Sequence, residues 1–172
     1  MNRLPILSAA VLSLVAFSAS AQAPNDAQIA AIVVTANQVD IDAGKLAQSK
    51  SASKEVKAFA QLMVTDHTGV NKAATELVTK LKVKPEENPT STALKKGGED
   101  TLKRLNSLKD AAFDKAYVDN EVAYHQTVLD AIDKTLIPSA KNEELKALLV
   151  KVRPAFVAHL EHAKRLQASL KK

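Results

Sequence analysis

Apolar residues recur at steps of three and four along most of the chain, the spacing typical of amphipathic helices. A first helix, helix A, is predicted from Asn25 and Asp26 until Ser49-Lys50-Ser51 interrupts the pattern. Its apolar positions are Ile29, Ile32, Ala36, Val39, Ala43 and Leu46. Helix B is predicted to follow Ser51 or Ser53 as its cap. Its apolar positions are Val56, Phe59, Met63, Val70, Ala74, Leu77 and Leu81.

Two more runs with this spacing occupy the second half of the chain. Helix C is predicted with Asp110 as its cap, and its stripe is Val118, Val122, His125, Leu129, Ile132 and Leu136. Pro138 and Ser139 are expected to end helix C and begin helix D. The stripe of helix D is Leu145, Leu149, Val152, Phe156, His159, Ala163, Leu166 and Leu170. Pro154 lies inside helix D and predicts a kink.

The stretch from Val83 to Gly98 is rich in turn-forming residues, including Pro85, Pro89 and Gly97. It predicts a long connection with at most short helical pieces, followed by a brief helix with Leu102, Leu105 and Leu108. Short A–B and C–D connections with one long B–C crossover predict an all-α, ferritin-like four-helix bundle with a short extra helix in the crossover. A simple up-down-up-down bundle is the alternative.

Composition supports a single helical domain. The chain has 172 residues, 46% hydrophobic and 25% charged, and only 3% are aromatic. Glycine and proline are too scarce for a sandwich or barrel. Because the chain has no cysteine, disulfides, thiolate nucleophiles, iron–sulfur clusters and cysteine zinc sites are excluded. Histidines and carboxylates remain as the plausible metal ligands.

The N-terminus has the order of a secretory signal peptide: Arg3, an apolar run from Leu7 to Phe17, and small residues ending at Ala21. We expect residues 1–21 to be removed and residues 25–170 to form the bundle domain in the bacterial periplasm. The apolar run is too short to span a bilayer as a helix, and no later stretch approaches that length. No transmembrane span is expected after signal removal.

The formal net charge is +5, and lysine supplies almost all of it. Neither clustered arginines and aromatics nor a known nucleic-acid module is visible, so no nucleic-acid partner is expected. A protein partner in the cell envelope and weak contact with anionic lipid headgroups both remain open.

Three of the four histidines, His67, His125 and His159, replace apolar residues in the inward stripes of three helices. They are either separate core histidines or one shared polar site. In the crossover topology, His67 and His125 lie at equal depth, each about 22 Å along its helix at ~1.5 Å per residue. His159 is expected one to two turns nearer the A–B end.

Several further residues have two interpretations. Asp66 is either solvent-facing or an acceptor that orients a neighbouring histidine. Asp40 and Glu121 are expected to pair with surface lysines.

His162 lies three residues after His159, and this pair is less favoured as a metal site. The two tyrosines, Tyr117 and Tyr124, are expected to pack in the core with their hydroxyls hydrogen-bonded. Gly44 and Gly69 indicate either a close approach between helices or glycines that the helices tolerate by chance.

A site rich in histidine, with one or two carboxylates, suits zinc, copper or nickel. The candidate metal residues are His67, His125, His159 and Asp66. A di-iron site needs Glu three residues before its histidines, and here those positions hold Val64, Val122 and Phe156. The sequence also has no nucleophile motif, phosphate loop or dinucleotide fingerprint, so it does not indicate an enzyme.

The run from Phe59 to His67, Phe-Ala-Gln-Leu-Met-Val-Thr-Asp-His, resembles the signature of domain-of-unknown-function family 4142. Further pieces agree: Gly44-Lys45-Leu46-Ala47, Phe113-Asp114 with Tyr117 and His125, and Pro154 with His159-Leu160 and Ala163. The resemblance covers residues 27–170. It implies a ferritin-like fold, export, and motif positions at Asp66, His67, Asp114, Tyr117, His125 and His159. It implies no activity.

The preferred hypothesis is an exported helical bundle with a candidate metal site of His67, His125 and His159, oriented by Asp66. A structural or interaction module with merely hydrogen-bonded histidines is the alternative. An enzyme that uses the same cluster for redox or hydrolytic metal chemistry is a third.

Overall fold

The computed structural model describes residues 23–170. Five long helices account for most of these residues, and no strand occurs among them. The helices are α1 (Asp26–Lys50), α2 (Lys54–Lys80), α3 (Pro89–Asn106), α4 (Asp110–Ala131) and α6 (Glu143–Ser169); a π-helical turn (Ile132–Leu136) and the one-turn α5 (Ile137–Ser139) follow α4. The all-α prediction is confirmed. The predicted signal peptide, residues 1–21, lies outside the described residues.

Helices α1 and α2 form a closely packed pair. Asn25 caps α1 by accepting from the backbone N–H of Gln28 at 2.9 Å, and Ser53 caps α2. A Cβ added to Gly44 on α1 would lie 2.9 Å from a methyl of Val64 and 3.1 Å from the carbonyl of Ala60. Gly44 therefore permits a close approach that a larger residue would obstruct. At Gly69 a Cβ would meet nothing within 4 Å, so no close approach explains that glycine.

The expectation of a long loop with a brief helix before Asp110 is wrong, because α3 has 18 residues and begins at Pro89. The side chain of Asn88 caps α3 by accepting from two backbone N–H groups. Proline costs nothing in the first turn, where its missing N–H would have no helical partner. Gly98 lies inside α3 because a Cβ there would come within 2.7 Å of Val39 on α1.

Helix α3 runs parallel to α1 along its whole length. Near the start of both helices, Asn88 donates to the carbonyl of Gln28 at 3.2 Å. Near their ends, the ammonium of Lys50 donates to the carbonyl of Asn106 at 2.6 Å. Helix α3 therefore returns the chain to the end of the bundle where α2 began.

Helices α4 and α6 form an antiparallel pair that packs on α1 and α2. Arg153 makes a two-bond ion pair with Asp133 at 2.6 and 2.7 Å. The helix start was predicted at Ser139, but α6 begins at Glu143 after an Asn142 cap. Asp110 was predicted to cap α4, yet Lys109 holds that position and makes no side-chain cap bond. Pro154 lies inside α6 as predicted.

The core consists of two hydrophobic clusters at opposite ends of the bundle. One includes Ile29, Leu129 and Leu149. The other includes Phe59, Met63 and Tyr117. None of the helices between residues 23 and 170 combines the length and the apolar character needed to cross a membrane.

Candidate metal centre

A layer of buried polar side chains separates the two hydrophobic clusters. Its members are Asn37, Asp40, His67, Glu121, His125 and His159. No member exposes more than 3% of its surface. Helices α1, α2, α4 and α6 all contribute, so the layer joins the four helices of the core.

The three imidazoles form a nearly equilateral triangle. The ring centroids lie 5.5 Å apart for His67 and His125, 5.3 Å for His67 and His159, and 5.5 Å for His125 and His159. One nitrogen from each ring lies within 4.8 Å of the others. The centroid of the Phe156 ring lies 4.9 Å from that of His67, so an apolar ring packs against the triangle at His67.

His159 lies at the same depth as the other two histidines, and the expected offset of one to two turns is wrong. Helix α6 begins four residues after Ser139. This later start moves His159 about 6 Å back along the axis at ~1.5 Å per residue, which is roughly one turn. The connection after Pro138 thus brings the third imidazole level with His67 and His125.

One nitrogen of each imidazole bonds to an oxygen acceptor at the edge of the layer. The three pairs are His67 Nδ1 with Asn37 Oδ1 at 2.7 Å, His125 Nδ1 with the carbonyl oxygen of Glu121 at 3.0 Å, and His159 Nε2 with Asp66 Oδ2 at 2.8 Å. Because amide, carbonyl and carboxylate oxygens accept, each of these nitrogens carries the proton. The tautomer of each neutral ring is thereby set.

The remaining nitrogen of each ring has no hydrogen-bond partner. These atoms are His67 Nε2, His125 Nε2 and His159 Nδ1. In the neutral imidazole each carries a lone pair, which is the form that binds a metal. Metal-binding histidines usually donate their other N–H to a carbonyl or carboxylate. All three histidines here have this pattern.

Asp40 places a carboxylate beside two of these nitrogens. Its Oδ2 lies 2.6 Å from Nε2 of His67 and 3.5 Å from Nε2 of His125. Neither oxygen of Asp40 has a hydrogen bond. A carboxylate oxygen and an imidazole lone pair about 2.6 Å apart repel each other unless a proton lies between them. As ligands of one metal ion, the two atoms would have to lie farther apart.

Burial and charge act in opposite directions on these groups. Burial alone would raise the pKa of Asp40, but the facing His67 and His125 lower it to about 2. Burial lowers the pKa of His125 to about 4, against the attraction of Asp40. Burial also lowers the pKa of His159, while Asp66 opposes the shift. At neutral pH the site therefore combines an ionised Asp40 with neutral rings at His125 and His159.

Glu121 lies beside Asp40 and is fully buried. Burial, and then the negative charge of Asp40, raise the pKa of Glu121 well above its usual value. The protonated Glu121 can donate to Asp40, because two adjacent buried carboxylates do not both ionise. The nearby Tyr124 hydroxyl donates to the carbonyl of Ala36 at 2.8 Å. Tyr117, also buried, has no bond to its hydroxyl, so only Tyr124 meets the prediction that both hydroxyls are bonded.

Three imidazole nitrogens and one carboxylate oxygen form a donor set that suits zinc, copper or nickel. Tetrahedral zinc, with bonds of about 2.0–2.1 Å, would bring its donors to ~3.4 Å from one another. The histidine nitrogens lie within 4.8 Å of one another, so an inward shift of the rings is needed. Asp40 and His67, only 2.6 Å apart, would have to move apart to bind the same ion. The orphaned polar atoms at the centre fit such an ion.

The structure changes the predicted roles of several residues. The prediction that Asp40 and Glu121 pair with surface lysines is wrong, since both are buried in the layer. Asp66 takes the orienting position, as the acceptor for His159. Asn37 was missed, although it lies four residues after Val33 on the buried face of α1. His162 lies outside the triangle, with its ring 5.0 Å from that of Phe59.

Residues 13–166 match the family described as Domain of unknown function (DUF4142). The match spans most of the 172-residue chain, and the chain therefore belongs to this family. No curated protein and no solved structure gives a significant match to the chain. The family description carries no activity, so function is argued from the site.

Proposed function

We propose that this chain is an exported, ferritin-like helical-bundle protein that binds one transition-metal ion, zinc, copper or nickel, in its core. The ligands are His67, His125, His159 and Asp40, and Asp66 holds His159 in position. The observation that carries the proposal is the set of three unpaired imidazole nitrogens, two of which, on His67 and His125, face the buried carboxylate of Asp40. When bound, the ion would supply Lewis-acid capacity and a link between four helices.

The donor set supports a metal over separately satisfied core histidines. A buried polar atom left without a partner costs about 1–3 kcal/mol. The free nitrogens of all three rings are in this condition. A single cation would satisfy several of them at once. In a purely structural module, a proton between Asp40 and His67 would satisfy that pair but would leave the free nitrogens of His125 and His159 without a partner.

The ferritin-like arrangement is supported by the directions of the helices. Helices α2 and α4 run in one direction, and α1 and α6 run in the other, with α3 as the crossover. Export is supported by the order of residues in the segment 1–21. Fractionation of the producing cells and N-terminal sequencing test this: the periplasmic form is expected to begin at Gln22, and an intact Met1 in the cytoplasm would contradict export.

Metal analysis tests the central claim directly. Untagged protein is purified, stripped with a chelator and titrated with zinc, copper and nickel by calorimetry. We expect one ion per chain for at least one of these metals. The variants His67→Ala and His125→Ala should lose binding, and Asp40→Asn, which preserves the size of the side chain, should weaken it.

Two matched controls separate the site from general effects. His162→Ala removes a histidine outside the triangle, and Asp42→Asn changes a carboxylate two residues from Asp40 that accepts from Gln38 instead. Both variants should bind as the wild type does. Unchanged binding in His67→Ala and His125→Ala, with intact helical circular dichroism, would contradict the metal centre and favour the structural module.

A further inference from the structure

A cleft of about 640 Å³ opens between α1, α3 and α4. Helix α3 packs tightly on α1, where Gly98 approaches Val39. It makes far fewer contacts with α4. The cleft is the space that this one-sided packing leaves between α3 and α4.

The walls of the cleft are mostly apolar or small. Ala43, Ala93, Leu94 and Ala123 are among the lining residues, and three threonines and Asn120 add neutral polar groups. Within the described chain, the lining residues include no lysine or arginine, and Asp40 is the single charged member. Because the carboxylate of Asp40 is buried, the cleft offers apolar surface and neutral hydroxyl groups.

Size and lining both match a small-molecule site. Such sites have volumes of roughly 300–1,000 Å³, apolar walls and a few polar groups. Asp40 forms part of the inner wall, but its carboxylate is buried and faces His67 and His125. A helix with its side chains is about 10 Å across, so the space suits one small molecule better than a helical segment of this chain or of a second copy.

We propose that this cleft binds a small, largely apolar organic molecule that carries no negative charge. The lining has no cationic residue, so a bound anion would lose its hydration without gaining a charged partner. This site goes beyond the proposed metal centre and does not depend on it, because its walls and volume are present without an ion.

The test uses two related fluorescent probes on metal-free protein. N-phenyl-1-naphthylamine is neutral, and 8-anilinonaphthalene-1-sulfonate has the same ring system with a sulfonate added. The neutral probe should bind saturably at one site per chain, and the sulfonate should bind at least about tenfold more weakly. Equal or tighter binding of the sulfonate, or no saturable binding of the neutral probe, would overturn the proposal.

Two substitutions fill the cleft from opposite walls. Gly97 lines the cleft on α3, and a Cβ added there meets nothing within 4 Å. Gly97→Leu should therefore fold normally and weaken binding of the neutral probe at least about tenfold. The matched control is Gly69→Leu, another helical glycine with open space around it but outside the lining; it should bind as the wild type does.

Ala123→Phe narrows the cleft from α4, and Ala111→Phe places the same side chain on α4 outside the lining. The first should weaken probe binding and the second should not. Unchanged binding in both Gly97→Leu and Ala123→Phe would overturn the proposal. So would sedimentation showing a wild-type dimer that Gly97→Leu dissociates, since the cleft would then be an interface. Intact probe binding without metal binding would count against the metal centre alone.

Discussion

The side-chain oxygen of Asn37 lies 2.7 Å from Nδ1 of His67, and both side chains are buried. The amide nitrogen of Asn37 donates to the carbonyl of Val33 at 2.8 Å. This second bond fixes which end of the amide faces the imidazole. Nδ1 of His67 must therefore donate, and the lone pair of a neutral His67 lies on Nε2, toward Asp40.

Replacing Asn37 with leucine should weaken metal binding by about 10–100-fold, the usual effect of losing a group that orients a metal-binding histidine. Without the amide oxygen, His67 is free to adopt the other tautomer. The dissociation constant for zinc is measured by calorimetry. Asn71→Leu is the control, because Asn71 also bonds to α1, at the carbonyl of Val34, and its side-chain oxygen makes no hydrogen bond to a histidine of the triangle. Equal losses in both variants would contradict a specific role for Asn37.

Metal removal should lower the stability of the fold. An ion held by four helices binds the folded chain and not the unfolded one. At a free concentration near 100 times the dissociation constant it stabilises by about 2.7 kcal/mol. For a domain of this size that corresponds to a rise in melting temperature of roughly 5–10 °C.

Thermal unfolding by circular dichroism, with zinc and then with excess chelator, measures this change. The shift should disappear in His159→Ala and persist in His162→Ala. A shift of equal size in His159→Ala would place the stabilising ion elsewhere in the protein.

The raised pKa of Glu121 predicts a specific dependence of stability on pH. The folded chain retains a proton on Glu121 that the unfolded chain releases above about pH 4.5. Its contribution to stability therefore falls as the pH rises toward the folded-state pKa. Glutamine at this position has no proton to lose, so the stability of Glu121→Gln relative to the wild type should rise with pH, by at most about 1.4 kcal/mol per pH unit.

Urea unfolding of metal-free protein at several pH values between about 4.5 and 7.5 measures this difference. His125, with its pKa lowered to about 4 by burial, acts in the opposite sense: its contribution is lost as the pH falls from about 6.5 toward 4. It titrates in both proteins, so the comparison isolates Glu121. The exposed Glu161 pairs with Lys164, and Glu161→Gln should give a flat difference above pH 4.5. A flat difference for Glu121→Gln as well would mean that Glu121 is ionised in the fold.

Periodicity predicted the four core helices because each must bury one apolar stripe. It also located the histidines, because His67, His125 and His159 each interrupt such a stripe at an inward position. The triangle could not be derived fully, since depth depends on where each helix begins. Helix α6 is capped by Asn142 and not by Ser139. This later start removed the expected offset of His159 from His67 and His125.

The buried carboxylates were missed because a charged residue at the edge of a stripe is usually solvated. Their spacing was informative nevertheless: Glu121 lies three residues after Val118 and four before His125, in register with the stripe. Helix α3 was missed because proline and glycine usually end helices. Here Pro89 starts one, and Gly98 is required by contact with Val39, an interhelical distance that no local pattern encodes.

The close approach of α1 and α2 predicts opposite effects for the same substitution at two glycines. In Gly44→Ala the new methyl would lie 2.9 Å from Val64 and 3.1 Å from the carbonyl of Ala60. The Val64 methyl must shift, and the backbone of α2 at Ala60 must move away by a few tenths of an ångström, at a cost of about 1–3 kcal/mol. In Gly69→Ala the methyl meets nothing within 4 Å, and the higher helix propensity of alanine should stabilise by about 0.5–1 kcal/mol.

Urea unfolding of both variants under one set of conditions measures the two free-energy changes. Gly44 lies one turn after Asp40, and Val64 lies one turn before His67, so a separation of the helices at Gly44 would also pull these two side chains apart. Gly44→Ala should therefore weaken zinc binding as well as stability, whereas Gly69→Ala should leave zinc binding unchanged. If Gly44→Ala is as stable as Gly69→Ala, α1 and α2 can accommodate the added methyl group. The 2.6 Å distance between Asp40 and His67 would then depend on contacts within the polar layer and not on the close packing at Gly44.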